Sequence, residues 1–190
     1  MNKDRRINRS KKKIEDNIIK LLKTKSLNQI TVKELCDMSD LNRGTFYNHY
    51  LDIYDLMAQI ENNLIDEFEL KLSKYSPELI NKDSLPLFKE VLTFINQHAD
   101  ITTIFLREKE YSLFIEKIIN LFKTRAIHTW GIKYTNSNIK NYGYFLEYAI
   151  NGCLGIINKW LKDGCKDNPN NLALLLEGMV INGTYFLNKK

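Results

Sequence analysis

The sequence predicts an all-α fold, and three observations carry that prediction. Only three prolines and eight glycines occur among 190 residues, and long stretches lack both, which favours helices over a sheet with many turns. Apolar residues recur at three- and four-residue spacing along most of the chain. Hydrophobic residues make up 44% of the sequence, enough for a core and too many for wholesale disorder.

The elements follow in order. The first ten residues are polar and basic and read as an arm. From Lys11 onward, Ile14, Ile18, Leu21 and Leu22 fall on one helical face, so a first helix covers about residues 10–25. "SLNQI" connects it to the next. In "ITVKEL", Thr31 is an N-cap, Glu34 stands three residues on to complete a capping box, and Ile30 and Leu35 form a hydrophobic staple. The second helix therefore runs from Thr31 to about Met38. "SDL" is a tight turn with Asp40 as its left-handed residue, a conformation Asp tolerates better than most. Asn42 caps a third helix. Asp52 caps a fourth over about 53–74, with Leu56, Ile60, Leu64 and Phe68 on one face. "SPELINKDSLP" breaks the pattern and marks a domain boundary. Five helices follow, over about 85–98, 100–107, 111–131, 139–164 and 169–188. Gly164 supplies a C-terminal stop, and "DNP" supplies an N-cap and a Pro at N1.

Charge is unevenly spread. Residues 1–50 hold twelve Lys/Arg against six Asp/Glu, and the remainder sixteen against seventeen, so the net +5 lies in the first quarter. That points to a polyanionic partner at one end, with a solvated basic tail as the alternative. The three cysteines, Cys36, Cys153 and Cys165, are odd in number and far apart, which argues against a disulfide framework or zinc site and fits a reducing cytoplasm. No signal peptide and no apolar run of membrane-spanning length is expected.

Helix two, turn and helix three make a helix-turn-helix, whose second helix enters the DNA major groove. At about 100° per residue, with Arg43 at 0°, Gly44, Asn48 and Thr45 fall at about 100°, 140° and 200°, and Phe46 and Tyr50 at about 300° and 340°. Phe46 and Tyr50 thus anchor the helix, while Gly44, Thr45 and Asn48 face outward. Thr45 offers a methyl or hydroxyl to a base edge, and Asn48 can pair with adenine. Tyr47 and His49 flank this face and can reach phosphates. Arg43 can reach a guanine or a phosphate, and the positive helix N-terminus adds to phosphate attraction. His49 has no Cys or His at ligand spacing, and the acidic pairs have no nucleophile or phosphate loop beside them. No metal site, cofactor or catalytic site is expected. His98 and His128 read as structural or surface residues, and the aromatics of the second half as core, with a pocket as a minority use.

"ITVKELCDMSDLNRGTFYNHYLDIYDL" resembles the DNA-binding motif of the TetR (TetR/AcrR-type) family of regulators, over about residues 10–65. The core "TFYNHY", followed by Asp52 and Leu56, is the most specific part. "WLKDGCKDNPNNLALLL" resembles the C-terminal region of a low-GC Gram-positive subgroup. The resemblance implies a homodimeric, all-helical repressor that loses its palindromic DNA operator when a small molecule enters the C-terminal domain. It implies a DNA surface of Thr31, Arg43, Gly44, Thr45, Tyr47, Asn48 and His49. It divides the chain into residues 1–52, an arm and helix-turn-helix domain; 53–76, a connecting helix; and 77–190, a ligand-binding and dimerisation domain. The chain departs from the family's pattern in two ways: Asp40 stands where many members have Gly, and Ile53 and Tyr54 where many have Lys. The last two helices are apolar on more than one face and carry Gly152, Gly155, Gly178 and Gly183. A two-fold dimer through a four-helix bundle accounts for both. The competing function is the same fold controlled by a protein partner, such as a co-regulator or chromosome or division factor. An enzyme on a helical scaffold is the remote third.

Overall fold

The computed structural model describes residues 3–107, 112–126 and 139–183. Among these residues the regular elements are helices only. They are α1 (Lys3–Leu22), a 3₁₀ turn (Leu27–Gln29), α2 (Val32–Ser39), α3 (Arg43–Tyr47), α4 (Ile53–Ser73), α5 (Pro77–Lys82), α6 (Leu85–Gln97), α7 (Ala99–Arg107), α8 (Ser112–Ala126), α9 (Ile139–Lys162) and α10 (Pro169–Gly183). The chain divides into two compact units, Met1–Asp66 and Glu67–Lys190, and the division falls inside α4.

In the first unit, α1 packs on α2 and α2 on α3. Ile14, Ile18 and Leu22 of α1 are fully buried, as are Leu35 of α2 and Phe46 of α3. One expectation is corrected: the basic segment is not an arm up to residue 10, because α1 already begins at Lys3. Lys and Arg have helix propensities close to that of Ala, and no Gly or Pro interrupts the run. At the other end α1 stops at Leu22, earlier than expected, and the Thr24 and Lys25 amides close a turn on the Leu21 carbonyl.

The caps fall where the sequence places them, with one difference. Thr31 Oγ1 accepts the Glu34 amide at 3.2 Å, and the staple residues Ile30 and Leu35 are buried. The Glu34 carboxylate pairs with Lys25 instead of returning to the Thr31 amide, so the box is half made; a charged partner within reach holds it more strongly than a backbone N–H. Asp52 Oδ1 accepts the Asp55 amide at 2.8 Å, and Asp55 Oδ2 accepts the Leu51 amide at 2.9 Å. Two donors at the start of α4 are thereby satisfied reciprocally.

In the second unit, α6 packs most extensively on α10, and α9 packs on α7, α8 and α10. Phe68 and Phe94 stack with centroids 4.9 Å apart, and Leu72, Leu92, Phe105 and Leu176 are almost completely buried. Ser84 Oγ donates to Glu177 at 2.8 Å, tying the start of α6 to α10. Helix α5 is a second correction, since "SPELINKDSLP" reads as a break. Ser76 accepts the Leu79 amide, and Pro77 takes N1. Six residues are too few to show a helical period, so only the Ser-Pro pair announced it. Gly164 (φ 77°) and Cys165 (φ 53°) end α9 in left-handed conformation, with the Cys165 amide bonded to the Trp160 carbonyl at 2.9 Å. This is the Schellman closure that a glycine stop implies. The expected extents beyond Ala126 and Gly183, and His128, lie outside the described residues. His98 is half-buried against Phe94, ring centroids 4.5 Å apart.

The core of the second unit is not filled. A cavity of about 130 Å³ opens among α5, α6, α8, α9 and α10. Apart from Arg125 and the Cys153 thiol, every residue lining it is Ile, Leu, Val, Phe or Ala.

Candidate nucleic-acid interface

The turn between α2 and α3 is built by three devices. Asp40 is left-handed (φ 54°, ψ 50°), and the Leu41 amide bonds the Cys36 carbonyl at 3.0 Å, closing α2. Asn42 then caps α3. Its Oδ1 accepts the Thr45 amide at 2.7 Å and the Thr45 hydroxyl at 3.0 Å. Finally, Asn17 of α1 reaches across. Its Nδ2 donates to the Met38 carbonyl and to Ser39 Oγ, both at 3.2 Å, while its Oδ1 accepts from Lys20. The Met38 carbonyl is one of the last-turn acceptors that a helix leaves unpaired. Asn17 and Ser39 are both buried, so this bridge pins the turn to α1, with its Ser39 arm shielded from water.

Helix α3 is short. Its regular part ends at Tyr47, and Asn48 follows as C-cap, still in right-handed helical geometry (φ −71°, ψ −14°). The Tyr50 amide returns to the Phe46 carbonyl at 3.0 Å, which holds one more turn in place. Phe46 is 0% exposed and Tyr50 2%. Each anchor of this size contributes about 1.5–3 kcal/mol by burial. Tyr50 O–H donates to Glu15 on α1 at 3.3 Å, and Lys11 Nζ stands 5.8 Å from its ring centroid. Burial, then the Glu15 charge, raises the Tyr50 pKa, so the phenol keeps its proton. Burial is also the main reason the Glu15 pKa is raised.

The opposite side of α3 faces solvent. Arg43, Gly44 and Asn48 are exposed, Tyr47 is 56% exposed, and Thr45 and His49 are half-buried. Gly44 has open space around it except for Asn42 Oδ1, 3.3 Å from where a Cβ would lie. A side chain there would press on the cap as well as stand between the backbone and anything docked on it. The His49 pKa is lowered, first by burial and then by Lys11, so the imidazole is neutral at pH 7. It can donate or accept one hydrogen bond but brings no charge. Thr31 is exposed at the start of α2. Arg5, Arg6, Arg9 and Lys12 are exposed along α1. Beside the start of α4, Tyr54, which stands where many family members have Lys, is 57% exposed, and Leu51, not singled out in the sequence, is 82% exposed. The place of Leu51 next to the Asp52 cap was the available signal. Helix α4 is held to this segment by Gln59, whose Nε2 donates to the His49 carbonyl at 3.3 Å.

A helix-turn-helix with a solvated second helix, followed by a helical unit with an apolar cavity, defines the class of helix-turn-helix transcriptional regulators. Residues 82–182, more than half of the chain, match the model of a family described as a transcriptional regulator C-terminal region, of TetR type. The chain belongs to the TetR family of DNA-binding transcriptional regulators. No curated protein matches it in sequence. Two solved structures resemble it in fold. One is the fatty acid degradation regulator FadR from Bacillus halodurans, with TM-score 0.67, 12% identity, and 92% of this chain and 95% of that one covered. The other is the dihydroxyacetone kinase operon activator DhaS, with TM-score 0.60, 14% identity, and 91% and 94% covered.

Proposed function

We propose that the protein is a cytoplasmic homodimeric repressor that reads a palindromic operator with α3 and releases it when a small molecule occupies the cavity of the second unit. The observation that carries this reading is the two-sidedness of α3: Phe46 and Tyr50 are buried, while Arg43, Gly44, Tyr47 and Asn48 are exposed. In this role Asn48 and Thr45 meet base edges. Tyr47 and the neutral His49 donate to phosphates, Arg43 meets a phosphate or guanine, and Thr31 adds a phosphate contact from α2. Residues 1–52 form the DNA-binding domain, α4 the connection, and residues 77–190 the sensing and dimerisation domain. The apolar cavity favours a small-molecule effector, and α4, continuous across the unit division, carries its signal.

The dimer has separate support. Tyr144 and Tyr148 on α9, and Leu174, Leu175 and Met179 on α10, are at least half exposed. Gly152 and Gly155 lie on the same stripe of α9, and a Cβ at either, or at Gly178, would meet nothing within 4 Å. Among the described glycines of α9 and α10, only Gly183 makes a close approach within the chain, to Phe145, where a Cβ would lie 2.7 Å from the ring. Three helical glycines without an intrachain reason, each costing about 1 kcal/mol relative to Ala, fit a second copy packed closely against that face.

Selecting bound duplexes from a random pool tests the reading. A two-fold symmetric sequence should emerge, with half-sites about one helical turn apart or slightly more. Enrichment of no sequence would refute it.

A further inference from the structure

Among the described residues lining the cavity, Arg125 is the one cationic side chain, and its guanidinium lies behind an almost wholly apolar cavity surface. Its Nη1 donates to the Tyr75 carbonyl at 3.4 Å, a long bond, and its Nε is buried with no partner. No carboxylate pairs with it among the described residues. A guanidinium against an apolar wall with an unpaired buried N–H is costly, and the cost disappears when an anion meets it. Nothing else in the lining offers a strong polar contact. The Cys153 thiol is raised to about 11 by burial, so it stays uncharged.

Resting on the effector reading above, we infer that the cavity takes an amphipathic monoanion: a hydrocarbon chain along Leu146, Ile150 and Leu154 of α9 and Val91 of α6, with its carboxylate on Arg125, whose guanidinium turns from the Tyr75 carbonyl to meet it. One cation matches one negative charge. The planar guanidinium suits a carboxylate better than a point cation would. The volume sets the chain length. About 130 Å³ is close to the ~150 Å³ engineered cavity that accommodates benzene, so it holds about six carbons of a medium-length chain, with the head group beyond them. Arg125 thus selects acids over neutral molecules of the same shape, while the apolar wall supplies affinity without selecting a head group.

The test compares octanoate with 1-octanol, which share a chain and differ in charge, by calorimetric titration of the full-length protein. Octanoate should bind roughly tenfold or more tightly than octanol. Arg125→Met should abolish that preference while leaving octanol affinity unchanged, and Arg125→Lys should keep part of it. Cys153→Phe, which fills the cavity, should remove both ligands. Thermal melting of each variant shows whether it is folded; should Arg125→Met fail to fold, the wild-type ratio and Arg125→Lys decide. Equal affinity for the two probes, or a preference that survives Arg125→Met, overturns the role of Arg125. Failure of both probes to bind overturns the ligand class. Octanoate that binds with Arg125-dependent preference yet leaves a bound operator in place upholds the ligand class and sinks the effector reading instead.

Discussion

Replacing Asn17 by Ala probes what positions α3 most sharply, because the hydrogen bonds of Asn17 go to Met38, Ser39 and Lys20 and none to α3. The substitution removes the Nδ2 that bonds the Met38 carbonyl and Ser39 Oγ at 3.2 Å, and Ser39 is buried. Each buried group left unpaired costs about 1–3 kcal/mol. The Ser39 oxygen loses a donor but keeps its own O–H, and Met38 is 44% exposed, so the sum sits near the lower end, about 2–3 kcal/mol. At tenfold per 1.4 kcal/mol, amide protection of Leu41 and Thr45 should fall roughly 30- to 140-fold. Hydrogen exchange followed by NMR or mass spectrometry measures this segment directly, without requiring both units to unfold together. Ser39→Ala alone leaves the Met38 bond in place and should cost about 1 kcal/mol. The double variant should cost little more than Asn17→Ala, since the two share one interaction. Additive losses, or unchanged protection in Asn17→Ala, would refute the claim that this bridge holds the turn.

Four further outcomes are expected. Tyr47→Phe should weaken binding to all duplexes alike, and Asn48→Ala should change which sequence is preferred, both read by parallel binding to a panel of related duplexes. Asn42→Ala should destabilise α3 by about 1 kcal/mol through loss of its cap, visible as faster exchange at Thr45. Glu15→Gln should stabilise the protein near pH 7. The folded-state pKa of Glu15 is raised, chiefly by burial, so wild-type stability is fullest below the ordinary carboxylate value and falls as pH rises through the folded pKa. The gain from Gln should therefore vanish below about pH 4.5 in urea melts at several pH values. Gly152→Trp should leave helix content intact, since the chain offers open space there, but should shift the protein to monomer in analytical ultracentrifugation.

The local signals in the sequence were read well because they rest on local physics. Asp40 is left-handed, and Thr31, Asn42 and Asp52 cap their helices, because a cap is a contact over two or three residues. The split of α3 into Phe46 and Tyr50 against Gly44 and Asn48 needed only the helical angle, but Thr45, expected on the outward face, is half-buried with its hydroxyl turned to Asn42 Oδ1. What the sequence hid depends on distance or on weak patterns. The Asn17 bridge joins residues 21 and 22 apart, and Asn17 in a run of helical residues looks like any surface polar group. Glu34 satisfied the capping-box pattern, yet Lys25, nine residues earlier, competed for its carboxylate. Residues 3–9 of α1 carry no apolar period strong enough to separate a helix from a basic tail. Arg125 reads as one more charge at the end of α8. Its partner Tyr75 is 50 residues away, and the cavity wall comes from five helices.

The central claim, that the exposed face of α3 reads DNA sequence over a background of phosphate contacts, is tested most directly by one salt series. The affinity of the full chain is measured for the selected duplex and for a scrambled duplex of equal composition. Both affinities should fall as salt rises, with a log–log slope of about −0.9 per phosphate contacted, and the selected duplex should bind more tightly throughout. Equal affinity for the two duplexes at every salt concentration would contradict the account.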